Sequence, residues 1–125
     1  MYEAFHGGDA DEALGHFHSD VLVDPSKARP DVAVGKGREH VNTVVTSWMG
    51  TWEDWREEVE EMRDLGGRVL VVSVQRGRGK GSGVEVEARY AMLYDINDGE
   101  ITAMRMYGDP AAALEAAAQI ERNRP

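Results

Sequence analysis

The sequence predicts a single α+β domain over residues 1–125, in which helices pack onto one face of a curved, mostly antiparallel sheet. Apolar residues recur at helical spacing in the first half, whereas apolar and charged residues alternate strictly over residues 84–96. Asn97-Asp98-Gly99 then predicts a hairpin between consecutive strands. The length suffices to remove about two thirds of the unfolded surface from water, so we expect one core.

Residues 1–18 are expected to form two short helices. Gly7-Gly8 interrupts the helical pattern, and Asp9 suits the N-cap of the second helix because its carboxylate can accept a backbone N–H. The apolar positions are Phe5, Ala13, Leu14 and Phe17. The first helix begins at Tyr2, barely one turn before the glycines, which leaves open whether the native N-terminus is longer than Met1.

A strand over residues 21–24 and a further helix follow. Alternation along the strand places Leu22 and Asp24 on one face, and Val21 and Val23 on the other. A loop containing Pro, Ser, Ala and Gly then runs to Gly37. The apolar residues of the next segment share one helical face, and they are Val41, Val44, Val45, Trp48 and Trp52.

The second half is expected to consist mainly of strands. Residues 53–65 are ambiguous, because their apolar positions have helical spacing. Residues 69–74 are dense in β-branched residues and form the clearest strand. The basic, glycine-alternating segment over residues 76–83 predicts a flexible connection, and residues 101–107 predict the last strand. Asp109-Pro110 then starts a helix, with Asp at the cap and Pro in the first turn.

The composition excludes several classes of function. Because 23 acidic residues against 14 basic ones give a formal net charge of −9, nucleic acid and anionic lipid are repelled, and we expect neither as a partner. No cysteine is present, which excludes disulfides, thiolate metal sites and cysteine nucleophiles. No segment has the pattern of a membrane span or of a secretion signal, so we expect a cytoplasmic protein.

Short motifs follow one another over nearly the whole chain. They are Tyr2-Glu3-Ala4-Phe5-His6-Gly7-Gly8-Asp9, Phe17-His18-Ser19-Asp20, Asp24-Pro25, residues 83–87, Asp98-Gly99-Glu100-Ile101, Met104-Arg105-Met106-Tyr107-Gly108-Asp109 and Ala113-Leu114-Glu115-Ala116. In order and spacing, this set resembles the nuclear transport factor 2-like superfamily, and most closely its SnoaL-like branch. No single motif is diagnostic on its own.

The resemblance implies a cystatin-like α+β fold. Such a fold is a cone-shaped barrel of a curved, mostly antiparallel sheet wrapped around N-terminal helices, with a short C-terminal helix and a deep pocket. It also implies a strand over residues 53–65 and a homodimer through the outer sheet face, at Arg105 and Tyr107. Members of the superfamily include ketosteroid isomerases, polyketide cyclases, epoxide hydrolases, dehydratases and pocket proteins of no known activity, so the fold does not fix the function.

Asp24 is the candidate general base. It matches the base of ketosteroid isomerase, where an Asp-Pro pair also ends the first strand, although this chain is one residue shorter just before it. A carboxylate that faces an apolar cavity loses hydration and becomes a better proton acceptor. Alternatively Asp24 is structural, because Asp-Pro also ends strands and caps turns. Steroid isomerisation is disfavoured, because the positions of the two oxyanion donors fall at or near Met92 and at Met1 or before it.

We expect an apolar pocket that binds a small apolar molecule, with no metal and no organic cofactor. Its candidate lining consists of Phe17, His18, Val44, Trp48, Trp52, Tyr90, Met92, Met104 and Met106. These side chains would serve equally well as core or surface residues, so two functions stay open. One is an isomerase, cyclase or hydrolase that uses Asp24, and the other is a non-catalytic ligand-binding or dimerisation domain.

Other chemistry finds little support in the sequence. His16 and His18 lie two residues apart and would point in different directions on a helix, so they do not form a chelating pair. The basic segment over residues 76–83 lacks the strand-loop-helix context of a phosphate loop. Epoxide hydrolysis would need two carboxylates and an arginine around one water, and only Asp24 is identified.

Overall fold

A computed structural model describes residues 14–29 and 31–122 of the chain. The strands are β1 (Phe17–Lys27), β2 (Gly35–Lys36), β3 (Trp52–Asp64), β4 (Arg68–Gly79), β5 (Glu85–Asn97) and β6 (Glu100–Tyr107). The helices of this described part are α1 (Arg38–Met49) and α2 (Pro110–Arg122). The two helices predicted over residues 1–18 lie mostly outside the described residues, and so does the wrapping of the sheet around them. Phe17 and His18 are described and open β1, so the prediction that the second helix continues to His18 is wrong.

The six strands form one mixed sheet in the order β2-β1-β6-β5-β4-β3. Every neighbouring pair is antiparallel except β1 and β6, which run parallel. The expectation of an α+β fold with a mostly antiparallel sheet is therefore confirmed. The expectation of a barrel is not, because β2 and β3 stand at opposite ends of the order and do not pair with each other.

Both faces of the sheet are buried, each against a different helix. The α1 face carries the larger core, in which Val23 and Met104 pack with Val41 and Val44 of α1. The α2 face carries a second core, in which Leu93 and Tyr107 pack with alanines of α2. Because successive side chains of a strand point to opposite faces, each long strand contributes alternate residues to the two cores.

Several predicted elements change their bounds. β1 continues to Lys27, because Lys27 still pairs with Tyr107 of β6. α1 ends at Met49 with Gly50 as its C-cap, so Trp52 opens β3 instead of continuing the helix. The strand that the resemblance implied over residues 53–65 is confirmed, and the helical spacing there is misleading. β4 likewise extends to Gly79, which shortens the predicted flexible connection.

Two local predictions near the C-terminus are confirmed. Asp98 and Gly99 have φ angles of 51° and 79°, which are the left-handed values that a two-residue hairpin turn requires. Asp109 caps α2, where its Oδ1 accepts the Ala111 N–H at 3.1 Å. Neither helix of the described part is long and apolar enough to cross a membrane.

The surface expected to mediate dimerisation is partly covered by the chain itself. Tyr107 is only 7% exposed, since it packs with Ala113 and Ala117 of α2. Arg105 is occupied by Asp95 of the neighbouring strand, at 3.0 Å between Nη1 and Oδ1. A homodimer through this face stays a prediction.

Candidate functional site

All three tryptophans of the chain line one pocket on the α1 face. Trp48 comes from the last turn of α1, Trp52 and Trp55 come from β3, and Tyr90 comes from β5. The Trp48 and Trp52 ring centroids lie 5.3 Å apart, and those of Trp48 and Tyr90 lie 5.6 Å apart, both in edge-to-face geometry. We call these four residues the aromatic pocket.

The floor of the aromatic pocket is the strand β4, which approaches β3 closely. A Cβ atom at Gly77 would lie 3.3 Å from both the Glu53 carbonyl oxygen and the Trp52 Cβ. Such contacts are tighter than a side chain normally tolerates, so glycine at position 77 allows Trp52 to lie over β4. The end of α1, the start of β3 and Gly77 therefore bring the three indoles together.

A hydrogen-bond network below the rings connects the strands β3 and β4 with the helix α1. Gln75 is 6% exposed, and its Oε1 accepts the indole N–H of Trp48 at 2.6 Å and that of Trp55 at 3.3 Å. Its Nε2 donates to Glu57 Oε2 at 3.1 Å, and Ser73 Oγ donates to the same oxygen at 2.8 Å. Gln75 is thereby fixed in one orientation, and Glu57 is held on the α1 face by two neutral donors.

Arg29 lies against the other side of Trp48. Its guanidinium carbon is 5.0 Å from the centroid of the Trp48 ring, and its Nη1 contacts the Val44 carbonyl oxygen at 3.2 Å and Ser47 Oγ at 3.5 Å. Burial raises the pKa of Tyr90, and the positive charge of Arg29 acts against that rise. The field of Arg29 therefore reaches the phenol of the aromatic pocket.

The pocket is nearly filled by its own side chains. The space left for the centre of a water molecule is about 10 Å³, which is room for about one water. Among the cavities lined by described residues, a larger one of about 480 Å³ is an open groove on the α2 face, next to Lys27 and Tyr107. The deep pocket that the resemblance implied is thus not formed by the rings of the described part in this conformation.

Asp24 lies on the opposite face of the sheet from the aromatic pocket. It pairs in register with Arg105, and its charge acts on the Tyr107 phenol, which belongs to the core on the α2 face. Its Oδ1 accepts the Ser26 N–H at 3.0 Å and the Ser26 hydroxyl at 2.5 Å, which is a local turn. The inward orientation on which the catalytic interpretation depended is therefore not found, because Val21 and Val23 take the α1 face.

The other predicted site residues divide into two groups. Trp48, Trp52 and Tyr90 line the aromatic pocket. The predicted positions that lie instead in the closed core of the α1 face are Phe17, Val44, Met92, Met104 and Met106. His18 is half-buried, and its Nδ1 accepts the Asp20 N–H at 3.0 Å. Whether any of these residues contacts a ligand stays a prediction.

Glu57, Gln75 and Trp55 were missed as site residues by the sequence analysis. A signal was present, because Ser73 and Gln75 break the apolar run of β4 at alternating positions that follow Val71. Alternation puts polar side chains at 73 and 75 on the buried α1 face, where they require partners. No cluster of three or more His, Asp or Glu suited to a metal occurs among the described residues.

Residues 1–104 match the family of the SnoaL-like domain. The chain belongs to this family. Its structure is similar to an NTF2-like protein of unknown function from Burkholderia pseudomallei, at 18% identity and a TM-score of 0.73, over 91% of this chain and 88% of the other. A second similar structure is TerC co-crystallised with polyporic acid, at 20% identity and a TM-score of 0.71, over 91% and 89% of the two chains.

A third solved structure also shares this SnoaL-like fold. It is a hypothetical protein with a ketosteroid isomerase-like fold from Catenulispora acidiphila, in complex with trimethylamine. The identity is 20% and the TM-score is 0.70, over 83% of this chain and 78% of the other. No curated protein matches the chain in sequence. At these identities the likeness establishes the fold and leaves the activity to the site.

Proposed function

We propose that this SnoaL-like protein binds a small molecule with a flat apolar ring in the aromatic pocket. The observation that carries the proposal is the exposure of the four rings. Trp48, Trp52, Trp55 and Tyr90 are all half-buried, whereas the neighbouring core residue Met104 is 2% exposed. Large aromatic side chains that converge at a surface without being closed over are typical of a ligand site.

A ligand can enter this pocket by displacing one ring. Trp48 and Trp55 are tied to Gln75 by their indole N–H groups, so moving either of them breaks a hydrogen bond. The Trp52 Nε1 is buried and has no hydrogen-bond partner in the described part of the chain. Rotation of Trp52 therefore costs least, and it would open space beside the ring, which stays in contact with the ligand.

Similar structures support a small-molecule function. Two solved proteins of the same fold are complexed with polyporic acid and with trimethylamine. These two ligands belong to those proteins, and together they indicate that the fold accommodates different small molecules. For this chain we infer the class of ligand from its own aromatic residues.

Thermal unfolding with small aromatic probes tests the proposal. We expect millimolar 1-naphthol, acetophenone or benzoate to raise the melting temperature, because a ligand that binds only the folded state stabilises it. Trp52→Ala should weaken that binding by about tenfold or more, through loss of ring contact. Met62→Ala is the matched control, since Met62 is 60% exposed and lies away from the aromatic pocket. If no probe shifts the melting temperature, the proposal is wrong.

Proton transfer is a second candidate function. The supporting observation is Glu57, a half-buried carboxylate on the face of the aromatic pocket, held by Ser73 and Gln75. It could take a proton from carbon beside a carbonyl group, while the electron pair of the C–H bond forms a C=C bond and the π pair of the carbonyl group moves to its oxygen. Asp24, predicted as the base, remains the rival for this role on the α2 face.

Deuterium exchange distinguishes the two carboxylates. In D₂O, a protein base would speed exchange of the acetophenone methyl protons, because each proton removed is replaced by a deuteron from solvent. We expect Glu57→Gln to abolish this acceleration and Asp24→Asn to leave it unchanged. The reverse result would reinstate Asp24 as the base, and no acceleration in the wild-type protein would leave binding without catalysis.

A further inference from the structure

We propose that the ligand of the aromatic pocket carries an oxyanion, such as a carboxylate on an aromatic ring, which accepts hydrogen bonds from Arg29 and from the indole of Trp52. The inference rests on the proposed function, since it names the chemical class of ligand for the same site. Three properties of the described residues support it. Acceptor oxygens at the pocket are already hydrogen-bonded, Arg29 makes no ion pair with another described residue, and Arg29 lies over the Trp48 ring.

Two side-chain acceptor oxygens near the aromatic pocket are already engaged. Gln75 Oε1 accepts two indole N–H groups, and Glu57 Oε2 accepts from Ser73 and from Gln75 Nε2. The buried polar atom that lacks a partner in the described part is a donor, the Nε1 of Trp52. A buried donor left unpaired is unfavourable, so an acceptor oxygen from a ligand would be favoured there.

Arg29 differs from the other half-buried arginines of the described residues. Arg68, Arg76 and Arg105 each pair with one or two carboxylates. Arg29 makes no ion pair with any residue of ranges 14–29 and 31–122, although the chain has nine more acidic than basic residues. A half-buried cation without a carboxylate in so acidic a chain indicates that its counter-charge comes from outside.

The geometry of Arg29 suits a planar anion. Of its nitrogen atoms, only Nη1 donates hydrogen bonds to other described residues, at the Val44 carbonyl oxygen and Ser47 Oγ. Its Nε and Nη2 are available for the paired hydrogen bonds that a carboxylate accepts from a guanidinium. Trp48 connects the two donors of the proposed site, because Arg29 lies over its ring and Trp52 makes an edge-to-face contact with it.

The net negative charge of the whole protein acts against the proposed preference for an anion. A net charge of −9 disfavours nonspecific binding of an anion and favours nonspecific binding of a cation. A preference for an anionic ligand over its cationic counterpart therefore cannot arise from the overall charge. It has to arise from local groups, and Arg29 is a cation that lies over the Trp48 ring, with its guanidinium carbon 5.0 Å from the centroid.

Three probes of nearly equal size test the inference: benzoate, benzamide and benzylammonium. We expect benzoate to bind about tenfold or more tightly than benzamide, and benzylammonium to bind most weakly, as judged by NMR or calorimetric titration. Arg29→Gln should remove the preference for benzoate, and Arg29→Lys should keep part of it. Arg122→Gln removes the same charge from the exposed end of α2 and should keep all of it.

The outcomes separate the inference from the proposed function. If benzamide or benzylammonium binds as tightly as benzoate, or if Arg29→Gln behaves like Arg122→Gln, the oxyanion inference is overturned while ring binding stands. If none of the three probes binds, both fail. Should Arg29→Gln not fold, Arg29→Lys is compared with the wild-type protein, because a lysine cannot reproduce the paired hydrogen bonds of arginine. A reduced preference for benzoate supports the inference, and an unchanged preference overturns it.

Discussion

The two faces of the sheet hold their polar groups in different ways. On the α1 face, Gln75 joins two indoles and Glu57 through hydrogen bonds that mostly involve neutral donors. On the α2 face, Asp95 accepts from Arg68 and Arg105, both at 3.0 Å, and Arg68 also contacts Glu121 of α2 at 3.0 Å. The ionic network of Asp95 pairs its charges with each other and holds α2. The network of Gln75 instead faces the aromatic pocket and lies beside two donors, Arg29 and the indole N–H of Trp52, that have hydrogen-bonding capacity left among the described residues.

The same difference separates the two candidate carboxylates. Among the described residues, Asp24 accepts hydrogen bonds only from Ser26, two residues away, and thereby shapes the turn after β1. Glu57 bonds to Ser73 and Gln75 of another strand. A local contact mainly stabilises a turn, whereas cross-strand contacts hold a side chain in a fixed position on a face. Position relative to the aromatic rings, and not the Asp-Pro motif, therefore identifies the better candidate.

Gln75→Leu should have the largest effect. It removes the partner of the Trp48 indole and one donor to Glu57, so we expect the free energy of unfolding to fall by roughly 2–4 kcal/mol. Chemical denaturation measures the loss. Gln119→Leu, an exposed substitution on α2, is the control and should change little. A loss as small as that of Gln119→Leu would show that the network is not structural.

Asp95→Asn should cost somewhat less, at about 2 kcal/mol, because it weakens two charge-assisted hydrogen bonds that are less than a third exposed. Unlike the loss in Gln75→Leu, this loss should shrink at high salt, where ionic interactions are screened. Denaturation at two salt concentrations checks it. Glu58→Gln serves as control, since its contact with Arg76 is largely exposed. Equal salt dependence for Asp95→Asn and Gln75→Leu would remove the contrast between the faces.

Asp24→Ala should cost about 1 kcal/mol, the usual worth of a side-chain oxygen that holds a turn. Asp24→Asn keeps an acceptor oxygen and should cost less. Neither substitution should change the affinity for benzoate, because Asp24 lies on the α2 face. A tenfold change in affinity in the Asn variant would bring Asp24 back to the ligand site.

The smallest expected effect concerns two tyrosines, one on each face. Burial raises the pKa of Tyr90 and of Tyr107, so above pH 10 the unfolded chain loses protons that the folded one keeps. Their contribution to stability is thus complete below pH 10 and falls as the pH rises further. Denaturation between pH 9 and 11 should show a shallower fall in Tyr90→Phe and in Tyr107→Phe. A steeper fall in either variant would contradict the raised pKa of that tyrosine.

The sequence predicted the strands better than it predicted their faces. Alternation placed Leu22 with Asp24 and Val21 with Val23, and the structure keeps that division. It could not decide which pair faced the site, because both faces of this sheet are covered and both bury apolar residues. In a sheet with one face in solvent, the pair that contains Asp24 would have been expected on the solvent face, which would have settled the question.

The candidate site was predictable only in part, since it depends on contacts between distant residues. Trp48, Trp52 and Tyr90 were placed at the pocket from their spacing. Glu57 was not assigned to the site. The apolar positions around it are spaced as in a helix, so the sequence did not indicate which residues of β3 face inward. Arg29 could not be assigned either, because its contact with Trp48 brings together residues that only the fold makes neighbours.

The indole N–H signals of the three tryptophans test the central claim most directly. In a two-dimensional NMR titration with benzoate, each tryptophan gives one signal, and all three lie in the aromatic pocket. We predict the largest shift for Trp52, whose N–H has no partner in the described structure, and smaller shifts for Trp48 and Trp55, which are held by Gln75. Binding of benzoate that leaves all three indole signals in place would contradict the account.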